Sequence, residues 1–276
     1  MDAPGLTPSA TLPGIGADAT EAPRRGMRLL RRLKTWSLVP LLLLLWQGGV
    51  AAGFINGNLF PPPTAIWQAL VDLSAQGLLW GDIAASVGRV CIGFGFAAVV
   101  GITLGLALGR LPRIAAYVLP LIELVRPISV IAWIPIAILW FGLGDRSAWF
   151  IIFLGAVFPI FTNTFMGARG VAPIHLQVAQ CFGAPRLLFI RQVLLPSALP
   201  YILSGLRIGL GVGWMCVIAA ELISSTSGLG YMIQMARTTI ETEKILAGMA
   251  VIGLIGAAMN AIMLWLERHL VRGARP

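Results

Sequence analysis

From Ile83 to Gly109 the chain runs for 27 residues with a single charge, Arg89. About 20 apolar residues let a helix cross the hydrocarbon core of a bilayer, so this stretch has the length and polarity of a membrane span. Further apolar stretches run over Trp36–Phe54, Ser147–Met166, Leu206–Leu222 and Ile245–Leu266, and a longer one, broken by prolines, over Ile114–Leu143. Inside lipid every backbone N–H and C=O has to be satisfied within its own segment, and at these lengths that means helices. Composition agrees: 58% of residues are apolar and 11% charged, where ordinary globular chains carry roughly 45–50% and about 25%. The expected fold is an all-α polytopic membrane protein with about six transmembrane helices. Four to seven spans fit the length, and a large soluble domain does not.

The charge is +9 at neutral pH. In a soluble chain that would suggest nucleic acid. Here Arg24, Arg25, Arg28, Arg31, Arg32 and Lys34 form one block directly before the first apolar run, with no aromatics interleaved for stacking on bases. That block reads as a cytoplasmic anchor facing membrane lipid, with no nucleic-acid partner. Cys91, Cys181 and Cys216 are odd in number and lack metal spacing, so no disulfide framework or metal site is expected.

Residues 1–35 read as a basic cytoplasmic tail, of which 1–23, rich in Pro, Gly, Ala, Ser and Thr, are expected to be disordered. Residues 36–55 are the first span. The rival there is a signal peptide, but its basic region and apolar core would both be unusually long. Residues 56–82, opening with Pro61–Pro63, read as an external loop and an interfacial helix. The core, 83–267, holds the second span, Ile83–Gly109, with Gly101, Gly105 and Gly109 spaced for close helix approach. Next come an interfacial segment to Arg126, in which Glu123 and Arg126 can pair, and a third span, Ile128–Phe141. Ser147–Met166 is the fourth, 167–200 a polar loop, Leu206–Leu222 the fifth, with Gly205, Gly209 and Gly213, and Ile245–Leu266 the sixth. Residues 268–276 are a cytoplasmic tail. This topology places sixteen of the twenty basic residues inside, with Arg89, Arg146, Arg237 and Lys244 outside, and puts both termini in the cytoplasm.

The loop 167–200 carries the functional signal. Pro173 suits a first helical turn, Gly183 a left-handed C-terminal cap, Pro185 a restart, and Pro196 a limit to the second helix. Helices of about ten residues are too short to cross, so two of them should lie at the cytoplasmic surface.

Here the chain resembles the permease subunits of binding-protein-dependent ATP-binding-cassette (ABC) importers. Their cytoplasmic loop reads E-A-A-x-x-x-G, nine residues, then I-x-L-P. Ala179, Gly183, Leu195 and Pro196 match, Val193 stands for Ile, and Gln177 and Val178 replace Glu and Ala. Residues 127–135, 139–144, 195–202, 205–211 and 219–222 look like the branch importing nitrate, bicarbonate, taurine and alkanesulfonates. The resemblance implies a second permease copy, most simply as a homodimer, two cytoplasmic ABC ATPase subunits and an external, periplasmic substrate-binding protein. It also implies an inner-membrane location, with ATP and Mg on the partner ATPase and no cofactor in this chain. In such permeases the segment matching Ile174–Phe182 is the coupling helix, which makes Ile174, Gln177, Ala179, Gln180, Gly183, Leu195 and Pro196 the ATPase-coupling residues. The absence of Glu at 177 removes one charged contact there.

The chain carries no catalytic inventory. His175 and His269 are its only histidines, and its only lysines, Lys34 and Lys244, follow Leu33 and Glu243, so no phosphate-binding Gly-Lys exists. The other reading is a secondary transporter, in which Arg89, Glu123, Arg126, Arg207 and Glu221 would be the intramembrane ionisable groups. Most of them lie near span ends, which favours solvated or paired structural roles. Trp133, Trp140, Trp214, Met215 and Glu221 are candidates to line a solute passage.

Overall fold

A computed structural model describes residues 38, 40–171, 174, 177, 181, 183 and 185–272. The basic block, the expected disorder of 1–23, part of the first expected span and residues 273–276 lie outside the described residues.

Prolines and glycines set most helix boundaries. The apolar helix α1, Pro40–Ala51, leads into α2, Pro63–Ala75, which has proline in its first turn where no N–H is needed. Gly77, at φ 74°, breaks the chain before α3, Leu78–Arg110, which ends two residues ahead of Pro112. Pro112 opens α4, Pro112–Val125. A 3-10 turn, Val130–Trp133, precedes α5, Ile134–Phe141. Gly142 and Gly144, both at positive φ, turn the chain into α6, Asp145–Arg169. A four-residue helix α7, Arg186–Phe189, passes through a π-turn, Ile190–Leu194, into α8, Leu195–Ser224. The chain closes with α9, Leu229–Thr238, and α10, Thr242–Arg272.

Four stretches are long and apolar enough to cross a membrane: Leu78–Arg110, Asp145–Arg169, Leu187–Ser224 and Thr242–Leu270. The expected third span is corrected. Instead of one helix over Ile128–Phe141, α4 and the Val130–Phe141 segment form a pair bent by 87°. The eight residues of α5 rise only about 12 Å, less than half a hydrocarbon core. The described residues therefore hold four spans, or five if the bent pair counts as one. Glu123 and Arg126 are both exposed and make no ion pair with each other. Pro196 does not limit a short helix either; it sits in the first turn of α8, and helix continues from Leu187 to Ser224.

The bundle is built around α6, which lies between α3 and α8. A Cβ added at Gly93, Gly101 or Gly105 of α3 would come within 2.7–2.8 Å of Ile152, Ile160 or Thr164 of α6. On the other side Gly205 and Gly209 of α8 lie equally close to Asn163 and Ile160. Within lipid no hydrophobic force drives helices together, so this close backbone approach supplies the dispersion contact that does. Both predicted glycine faces thus pack within the subunit. At the end of the bundle carrying α2 and α9, Leu73, Leu79, Val90, Ile152, Trp214, Val217, Leu229 and Met232 form the largest buried cluster.

Candidate functional site

At that same end Arg89, the one charge between Ile83 and Gly109, is 6% exposed. A guanidinium buried in a membrane bundle has to be paired and hydrogen-bonded to be tolerated. Its Nε donates to Asp145 Oδ1 at 2.7 Å, and its Nη1 donates to Glu221 Oε1 at 2.7 Å and to the Ser227 carbonyl at 2.7 Å. Nη2 donates to Ser227 Oγ at 2.8 Å. One side chain thereby joins α3, the start of α6, the end of α8 and the loop after it.

The Glu221 carboxylate is fully enclosed. It accepts from the Ser86 hydroxyl at 2.8 Å and from the Gly230 N–H at 2.9 Å. Ser86 Oγ in turn accepts the Leu229 N–H, and Asp82 Oδ1 accepts the Gly228 N–H. Gly228 has φ 109°, and a Cβ there would collide with the Glu221 carboxylate, so the loop can wrap the acid only with glycine at that position. The turn before α6 is tied in as well, because the Gly144 N–H donates to the Ser224 carbonyl at 2.8 Å. Sequence reading picked out Arg89 and Glu221 separately but missed their pairing, and missed Ser86, Asp82, Asp145, Ser227, Gly228 and Gly230. The available signal was depth: Arg89 and Glu221 lie near the same ends of oppositely running helices.

The candidate passage residues do not converge. Trp214 is 6% exposed and its indole N–H donates to the Ile252 carbonyl of α10, so it is a packing residue. Glu221 faces no opening within the subunit. Trp133 is half-buried beside Ile134, Ala137 and Ala148. Trp140 is exposed and its ring meets Phe150 edge-on. Met215 is 74% exposed on α8, two turns beyond the exposed Ile208, a residue the sequence reading did not single out.

At the other end of the bundle, Ile174, Gln177 and Cys181 are helical and exposed, and Gly183 has φ 60°, the left-handed conformation its expected cap requires. Ala179 and Gln180 lie outside the described residues. Leu195 and Pro196 are exposed, whereas Leu194 is buried with Ala168 and Val171. Leu106, Phe189 and Val193 pack around that cluster, and the Arg110 guanidinium lies 5.3 Å from the centre of the Phe189 ring. Arg207 of α8 pairs with Glu267 of α10 at 3.2 Å, both partly exposed.

Comparison with known proteins gives a consistent picture. A family model described as "binding-protein-dependent transport system inner membrane component" matches residues 97–276. The chain is 37% identical to the taurine transport system permease protein TauC of Escherichia coli (strain K12), covering 83% of this chain and 86% of that one. It is 33% identical to a putative aliphatic sulfonates transport permease of Bacillus subtilis (strain 168), over 96% and 95% of the two chains. A bicarbonate transport system permease of Synechococcus elongatus is 36% identical over 71% of each. Among solved structures, an inward-facing conformation of the MetNI methionine ABC transporter aligns with a TM-score of 0.61 at 18% identity, covering 74% of this chain and 99% of that chain. At that identity the last match speaks for the fold alone.

Proposed function

The chain belongs to the binding-protein-dependent transport system inner membrane components and is the permease subunit of an ABC importer, and from that premise we propose that it carries a small oxyanion across the membrane. The observation that carries the solute class is that relatives of known name are permeases for taurine, sulfonates, bicarbonate and nitrate. All four carry a compact oxyanionic group: a sulfonate in taurine and the aliphatic sulfonates, and the whole ion in bicarbonate and nitrate.

A permease of this family works with an ATPase and a substrate-binding protein, and is not itself catalytic. Hydrolysis of ATP, with its Mg, takes place on the partner ATPase, which docks on the segment around Ile174–Phe182. The exposed helical residues Ile174, Gln177 and Cys181 and the left-handed Gly183 support that docking surface. Nucleotide-driven closure of two ATPases moves their grooves together, and a short helix seated in each groove passes that rigid-body motion to the spans. Two copies of this chain form the passage, and both termini face the cytoplasm. The charge bias supports this orientation: the cluster around Arg110, Arg169 and the loop lies at the end opposite the Arg89 hub. The rival reading, a secondary transporter, loses its ion relay, because Arg89 and Glu221 are consumed by each other and by the 225–230 loop.

The test is uptake by the full permease–ATPase complex in vesicles, supplied with its binding protein. Taurine, aliphatic sulfonates, nitrate, bicarbonate and aromatic carboxylates are offered one at a time. ATP-dependent accumulation of one of the small oxyanions is expected. Uptake of a sugar or a cation, with none of these anions carried, refutes the solute class.

A further inference from the structure

The loop that meets the ATPase reaches the spans by two routes with different mechanics. The covalent route runs through α7 and the π-turn into α8. In the π-turn the Leu195 N–H donates to the Ile190 carbonyl, an i to i+5 bond that widens the helix. Single π-turns of this kind are uncommon and cluster at functional positions. Pro196 and Pro200 follow within the first turns of α8, and neither supplies an N–H to the helical ladder. Three consecutive weak points make this route compliant.

The second route is lateral. Phe189 ends α7 immediately before the π-turn and packs against the buried cluster of Ala168, Val171 and Leu194, on which Leu106 of α3 also packs. Arg110, one helical turn beyond Leu106 on the same face of α3, places its guanidinium 5.3 Å from the centre of the Phe189 ring. α3 and α6 cannot slide independently, because Gly93, Gly101, Gly105 and Gly109 seat the α3 backbone on Ile152, Ile160, Thr164 and Ala168 of α6 along nearly their whole contact.

We infer that Arg110 and Phe189 form a staple that transmits movement of the ATPase-docking loop to the α3–α6 pair, while the π-turn lets α8 follow by bending. Arg110 is a positioning residue in this scheme: it holds the Phe189 ring against the end of α3. The hub at Arg89 fixes α3, α6 and α8 to one another at the far end, so a push at Phe189 swings the helices about that hub instead of sliding them. The inference rests on the docking of an ATPase at the 174–182 segment.

The test uses the intact complex in nanodiscs or vesicles, with its binding protein, and reads solute imported per ATP hydrolysed. Arg110→Ala and Phe189→Leu keep the ATPase bound and hydrolysis running, but lower that ratio about threefold to tenfold, the weight of a cation–π contact in an equilibrium. Arg110→Lys and Phe189→Tyr, which keep a cation and a ring, restore most of it. The double variant Arg110→Ala/Phe189→Leu falls no further than either single one, since both remove the same contact. An unchanged ratio in the single variants, or additive losses in the double, overturns the staple. Loss of the ATPase from the Arg110→Ala complex also overturns it, by making the residue part of the docking surface. Failure of the unaltered chain to hold an ATPase refutes the docking reading itself.

Discussion

The Arg89 hub contains two carboxylates that differ sharply in setting, and the difference can be measured. Glu221 is enclosed, with its oxygens accepting from Arg89, Ser86 and Gly230. Asp145 is 57% exposed and makes one contact to Arg89. In Glu221→Gln the side chain keeps its shape, yet its NH2 must face either the Gly230 N–H or the Arg89 guanidinium, donor against donor. Breaking a buried pair costs about 3–5 kcal/mol because a charge is left unpaired; since Ser227 and Asp145 still hold Arg89, the lower end, about 3 kcal/mol, applies. In Asp145→Asn the amide oxygen can still accept from Nε, and the lost charge was screened by solvent, so less than about 1 kcal/mol is expected. At about 2 °C per kcal/mol for a chain of this size, Glu221→Gln should lower the midpoint of thermal unfolding in detergent by about 6 °C, and Asp145→Asn by less than about 2 °C. Tryptophan fluorescence of the purified permease reads both. Equal shifts, or a larger one for Asp145→Asn, would refute the reasoning that burial decides the weight of each contact.

Three further outcomes follow from the same geometry. Gly105→Leu, whose Cβ would lie 2.7 Å from Thr164 Cβ, should overpack the α3–α6 contact by about 1–3 kcal/mol or more, whereas Gly95→Ala, with open space around it, should leave the elution profile on size exclusion unchanged. Gly183→Val, forced to hold φ 60° with a β-branched side chain, should reduce uptake severalfold while membrane insertion, read by immunoblot of the membrane fraction, stays normal. A single cysteine at Gln177, which is exposed, should crosslink to the ATPase in a nucleotide-dependent way; absence of a crosslink in every nucleotide state would sink the docking assignment.

The long spans were legible in the sequence because charge-free runs of that length admit one solution in lipid, and their positions held to within a few residues at most ends. The prolines were less so. Pro135 and Pro196 were read as breaks or stops, but Pro135 sits in the first turn of α5, where a missing N–H costs nothing, and Pro196 lies within helix that runs on from Leu187 to Ser224; proline alone does not say which side of it the helix lies on. The hub was half legible: an arginine inside an apolar run demands a counter-charge, but Arg89 and Glu221 are 132 residues apart, and only the packing of α3 beside α8 brings them together.

The glycine stripes show most clearly what pattern alone leaves undetermined. Spacing at four residues announced close helix approach without naming the partner, and two stripes on different spans could equally have met each other across a two-fold axis. The structure resolves this through the side chains of α6, which presents the branched knobs Ile152, Ile160 and Thr164 to glycines on both sides. Each stripe is thereby used inside the subunit, and the second copy proposed above would have to pack on something else. On α8 Tyr201 packs on Gly167 of α6, whereas Ile208 and Met215 are exposed, and Gly211 lies exposed between these two with nothing within 4 Å of where its Cβ would be. An unoccupied glycine flanked by large apolar side chains on a lipid-length helix leaves room for a close neighbour. That makes this face of α8, and not the stripes facing α6, the surface on which a second copy or the passing solute would come closest to the backbone.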